Sequence, residues 1–281
     1  MDYPQIRAMH RSLEPYHGII YFVPEAARAY AELGIVGRMG YFASRSAAMG
    51  PVGPETVIST FFNFNPEVVR AALPEAWSLA SPEQVLAARI GAADAALRRV
   101  LGDAADGPEI AEAAELAKVA SGGCYLEGHP LYAGHAAQDW PTQPHLVLWW
   151  AQTLLREFRG DGHIAAMTTQ GLSGVEALVI HQATGVLPPG TLQSTRAWSD
   201  EAWAAGVESV QDRGWLDETG GLTADGLATR QWVEDRTDEL TAGCWSLLGE
   251  DGCARLRELV RPSVTALMPE LPGGGTWLKN R

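Results

Sequence analysis

The chain has 281 residues, 46% of them hydrophobic, with a formal charge of -13 at pH 7 and a sequence pI near 4.9. That length and apolar content are enough to bury one large core or two medium ones. The acid excess argues against nonspecific binding to nucleic acid or anionic membrane unless a local patch reverses it. No apolar run reaches the length of a membrane span, and the first residues lack the apolar stretch of a secretion signal. Cys124, Cys244 and Cys253 are odd in number and have neither CxxC spacing nor a framework pattern, so they read as reduced thiols. The expectation is a globular, cytoplasmic protein that does not engage a membrane.

In chain order, residues 57–64 (VISTFFNF) form an apolar run, and residues 81–101 predict a helix that carries Arg89, Arg98 and Arg99 against Glu83 and Asp94. A Gly- and Pro-rich stretch around residues 128–135 (GHPLYAGH) reads as a connecting loop. Residues 145–158 (HLVLWWAQTLLREF) predict a long amphipathic helix, stopped by Arg159-Gly160-Asp161-Gly162. Residues 173–183 give another helix, and Pro188-Pro189 opens the next. Ser199 then caps a helix on which Trp203, Val207 and Val210 recur at helical spacing. Arg213-Gly214-Trp215-Leu216 ends it, Glu218 to Gly221 suits a tight turn between two short strands, and residues 222–226 (LTADG) cap a helix running to Thr241. Residues 250–267 give the last helix, before an irregular tail.

The two halves read as copies of one plan. Ala-Trp-Ser recurs at residues 76–78 and 197–199, and the run at Val57 aligns with the one at Val175 at a similar offset. The expected organisation is a degenerate winged-helix-like half over residues 1–125, a connecting loop over 126–144, a winged-helix half over 145–268 and a tail over 269–281. The fold class is therefore mainly α, a tandem winged-helix-like, pseudo-dimeric chain, with a cavity expected where the halves meet.

Several strings carry a resemblance: residues 21–25 (YFVPE), 41–45 (YFASR), 62–64 (FNF), 73–77 (LPEAW), 154–163 (LLREFRGDGH) and 223–226 (TADG). The chain resembles, over nearly its whole length, an actinobacterial family of MarR-like winged-helix proteins, a source that the scarcity of lysine beside abundant arginine and alanine also suits. The resemblance implies a helical scaffold of winged-helix type and a regulator's ancestry, while fold alone does not fix function. In such proteins one helix enters the major groove and the hairpin touches phosphates. Here residues 199–225 carry seven acids against Arg213 alone, the wrong sign for DNA.

Candidate chemistry gathers at a few places. Asp161 and His163 could form an oriented imidazole for general acid–base work, or Asp161 could simply cap a following helix. Arg159 lies beside them. His129 and His135 suit a binding loop; their spacing and the lack of a fixed acidic partner argue against a metal site. Arg45 follows aromatics that should face a core, so it needs an anionic partner or a wet cavity. Asn63 sits inside an apolar run, either as a structural hydrogen bonder or facing a ligand. Trp149, Trp150 and Trp198 flank these groups and could line a pocket for a flat, apolar molecule.

No nucleophile elbow, phosphate loop or dinucleotide fingerprint occurs, so no cofactor is called for. Three readings stand: a small-molecule-binding protein of secondary metabolism on a repurposed winged-helix scaffold, a cofactor-independent acid–base enzyme of such a pathway, and a ligand-responsive regulator. Whether a reaction is catalysed and how many copies assemble stay open.

Overall fold

The structure, a computed structural model, describes residues 1–275. Thirteen helices account for most of these: α1 (Tyr3–Gly18), α2 (Pro24–Glu32), α3 (Arg38–Ser46), α4 (Pro54–Phe61), α5 (Pro66–Leu79), α6 (Pro82–Leu101), α7 (Pro108–Ser121), α8 (Pro130–Ala136), α9 (Pro144–Thr169), α10 (Gly174–Gln182), α11 (Thr191–Arg196), α12 (Asp200–Asp212) and α13 (Ala224–Leu267). Their starts are written in the sequence. Proline stands in the first turn of α1, α2 and α4 through α9, where its missing N–H costs nothing. Asp2 with Gln5, Ser81 with Gln84 and Ser173 with Glu176 close reciprocal capping boxes on α1, α6 and α10.

Two cores result. The larger joins α1 to α8 with the first part of α9 and the second half of α13, and Trp149 and Trp150 lie fully inside it. Truncating either indole to Ala there costs about 3–5 kcal/mol. The smaller core holds Ala166 and Met167 from the end of α9, Val179 and Ile180 from α10, Val210 from α12, Leu216, and Val233 from the start of α13. Both α9 and α13 thus run from one core into the other, and α13 breaks at Gly249, whose φ of 77° is left-handed. Among the described residues no helix is long and apolar enough to cross a membrane.

Two expected features differ. Arg159-Gly160-Asp161-Gly162 does not stop a helix, because α9 continues through it to Thr169. Gly162 lies beside the side chain of Leu240 on α13, so packing against a neighbouring helix outweighs glycine's low helix propensity. The hairpin after α12 does form, but among the described residues it contains no strand, only one antiparallel bridge between Leu216 and Leu222. Asp217 explains this: its Oδ1 accepts from the backbone N–H of Thr219 (2.8 Å) and of Gly221 (2.9 Å), folding the tip onto a side chain instead of a ladder. The LTADG glycine, Gly226, seats this hairpin, since a Cβ there would collide with the Trp215 carbonyl.

Candidate functional site

Between the two cores lies a cavity of about 790 Å³. Its walls come from α1, α3, the end of α4, the middle of α9, α10, α11 and the start of α13. Its apolar and aromatic lining includes Tyr41, Phe61, Phe62, Phe64, Ile164, Met167 and Val233. Its basic lining is Arg7, Arg11, Arg45, Arg156, Arg159, Arg196 and Arg230, with His10, His163 and His181, and it meets the aromatic part where Arg45 lies over Phe61 and Arg196 over Phe64. In a chain of charge -13 this is a marked local reversal of sign.

Buried carboxylates hold most of these guanidiniums in place. Arg45 makes a bidentate pair with Glu157, which is wholly buried, and Arg156 bridges Glu157 and Glu14. Burial by itself would raise the Glu157 carboxyl, but Arg45 and Arg156 outweigh it and hold it well below the usual carboxylate range. Arg7 and Arg159 share the buried Asp238 at 2.7 Å each, and Arg230 reaches Glu234 at 3.3 Å.

The seam beside the cavity is a strained clasp. Phe62 ends α4 with φ 57° and ψ -53°, and the Asn63 N–H donates back to the Phe61 carbonyl at 2.6 Å, a tight three-residue turn of the rarely used positive-φ kind. Ala197, after α11, is also left-handed, with φ 59°. The two are tied across the seam. The Trp198 indole N–H donates to the Asn63 carbonyl (2.9 Å), the Asn65 N–H to the Arg196 carbonyl (3.0 Å) and the Asn65 amide to the Ala197 carbonyl (2.9 Å). Strained backbone persists where its surroundings over-determine it, and such positions cluster at ligand sites.

Of the residues singled out in the sequence, Arg45, Asn63, Arg159 and His163 line this one cavity. Trp198 stands behind Asn63. Trp149 and Trp150 do not line the cavity but fill the larger core, because α9 is covered on all sides over that stretch. Asp161 and His163 are two residues apart on a continuous helix, so they point about 200° apart instead of meeting at a turn. The Asp161 Oδ2 accepts the N–H groups of Leu131 (3.0 Å) and Tyr132 (2.9 Å), capping α8. Burial pushes its carboxyl up to about 7 against the pull of those two donors. His163 bonds the Thr237 hydroxyl at 2.9 Å. His129 and His135 are buried near the far side of α9, the first stacked on Phe158 with centroids 4.0 Å apart, the second bonded to the Leu131 carbonyl. Among the described residues no group of three His, Cys, Asp or Glu side chains is placed to hold a metal ion.

The model of a helix-turn-helix family matches residues 6–272, nearly the whole chain. The chain belongs to this helix-turn-helix family. No curated protein and no solved structure matches it. In this helix-turn-helix protein, α11 and α12 are joined by a short turn through Trp198. The exposed side chains of α12 include Glu201, Glu208 and Asp212, and α12 itself carries no cation. Seven arginines line the cavity.

Proposed function

We propose that the protein binds a small molecule in the cavity between its two cores, on a helix-turn-helix scaffold whose α12 lacks the positive charge that DNA requires. The cavity carries this reading. Its volume is within the range of ligand sites, it lies between two packed units, and it combines apolar walls with a few convergent polar groups. The same proposal takes α10 to α13 as a MarR-like winged-helix module and α4 to α7 as its worn counterpart. The repeated order of four helices, with a short non-α segment before the last, supports that tandem reading.

The test is capture from extracts of the native host, followed by mass spectrometry of what elutes on denaturation. A cavity-filling variant, Ala177→Trp, is the control. A discrete compound held by wild type and lost from the variant supports the reading. Equal recovery from both, with the variant folded, rejects it.

Family membership favours a second reading, a ligand-responsive regulator. The exposed acids of α12 and the hairpin oppose it, since each duplex phosphate they approach carries the same sign. Specific binding of a duplex would reverse this order of preference.

A further inference from the structure

This inference rests on the small-molecule reading above and names the class of ligand. Seven arginines line the cavity, and five carboxylates, Glu14, Glu157, Glu234, Asp235 and Asp238, lie within ion-pair distance of them. The excess is two positive charges, and it belongs to two particular residues. Among the described residues, Arg11 and Arg196 alone of the seven have no carboxylate within ion-pair distance.

They occupy different places. Arg11, on α1, is exposed at the rim, beside Arg7 and Arg159. Arg196, at the end of α11, is half-buried, lies over the Phe64 ring at 4.8 Å and feels Arg45 and Arg156. Its Nε is buried without a hydrogen-bond partner among the described residues. Loss of hydration, together with like-charged neighbours, lowers the pKa of both guanidiniums and outweighs the more distant Glu234 and Asp238 at Arg11 and Tyr41 at Arg196. A buried donor left unmade is destabilising, a cost that an anion supplied from outside would remove.

We propose that the ligand is an organic dianion with an apolar body, one acidic group held at depth by Arg196 and the other at the rim by Arg11. The aromatic wall from Phe61 to Phe64 takes the body between them. Carboxylate and phosphate share the required chemistry, since a guanidinium grips either through paired N–H donors.

The probes are the linear α,ω-dicarboxylates from octanedioate to tetradecanedioate, the monocarboxylates of equal length and the corresponding dimethyl esters, with linear alkyl bisphosphonates as a parallel arm. Calorimetric titration of the full chain should show the best-fitting diacid binding about tenfold or more tighter than its monoacid. Arg196→Gln and Arg11→Gln should each bring the diacid down to monoacid affinity while leaving the ester unchanged. The comparison of diacid with bisphosphonate tells which anion is preferred. Equal binding of diacid and monoacid overturns the dianion. Binding of the ester alone, abolished by Ala177→Trp, overturns it while leaving the small-molecule reading standing. No binding by any probe also overturns it, and the extract capture then judges the cavity by itself.

Discussion

Arg45 and Glu157, far apart in the chain, meet in a bidentate ion pair, with Nε to Oε1 at 3.0 Å and Nη2 to Oε2 at 2.6 Å. The pair ties α3 to α9, and Arg156 joins it from the next residue on α9. Because Glu157 is wholly buried and Arg45 nearly so, removing the carboxylate's charge leaves Arg45 without its counter-ion. Glu157→Gln should therefore lose about 3–5 kcal/mol of unfolding free energy by urea titration. Adding Arg45→Met should recover much of that loss. A double variant no better than the single would show that the pair does not act as a unit.

Asp161 should leave a mark on the pH dependence of stability. Its folded carboxyl titrates near 7, above the unfolded value of about 4, so the folded state holds the extra proton between those limits. The contribution is fully present below about 4 and is lost as pH rises through about 7. Asp161→Asn keeps an oxygen for the two N–H groups of α8 and removes the titration. Relative to this variant, wild type should lose melting temperature between pH 5 and pH 8, as differential scanning fluorimetry would read.

His135 should act in the opposite sense. Burial holds its imidazole neutral, with a pKa of about 4. The unfolded chain takes up a proton near 6.5, so stability present above that value is lost as pH falls toward 4. His135→Gln should flatten the acid limb of the melting curve. An unchanged slope between pH 6.5 and pH 4 would mean that the ring is protonated in the folded state.

Ala197→Gly should stabilise the protein. The left-handed backbone at Ala197 costs an alanine about 1–2 kcal/mol that glycine does not incur, partly offset by glycine's greater freedom when unfolded. A gain of about 0.5–1 kcal/mol in urea is expected. Trp198→Phe, which keeps a ring but loses the bond to Asn63, should cost about 1 kcal/mol.

Duplex DNA should not shift in an electrophoretic assay at about 150 mM salt, since Glu201, Glu208 and Asp212 face outward on α12. Retention of a defined duplex at nanomolar protein would contradict this.

The helix starts after Ser81, Ser173, Ser199 and Thr223 were legible because their cause is local, a side-chain cap on the first turn, whereas Pro188-Pro189 precedes α11 without entering it and the stretch read as a loop at residues 128–135 holds α8, opened by Pro130. Arg45 was legible for a related reason, as a lone cation among aromatics has few places to go. What the sequence hid is what α1, α9, α11 and α13 assemble at a distance. Arg7, Arg11, Arg196 and Arg230 each look like ordinary surface arginines, and only the fold brings them to one cavity with Arg159. Gly160 and Gly162 misled because a helix buried against α13 tolerates glycines that an isolated helix would not. Trp149 and Trp150 misled because adjacency to charged residues along the chain says nothing of which side of α9 an indole takes.

α9 and α13 are each anchored in both cores, so neither core can melt without fraying two helices that the other depends on. Two continuous helices shared in this way couple the unfolding of one core to that of the other and oppose a hinge between them. On the small-molecule reading proposed above, a guest would pass exposed side chains such as Arg11, whose rotation is far faster than a movement of whole helices.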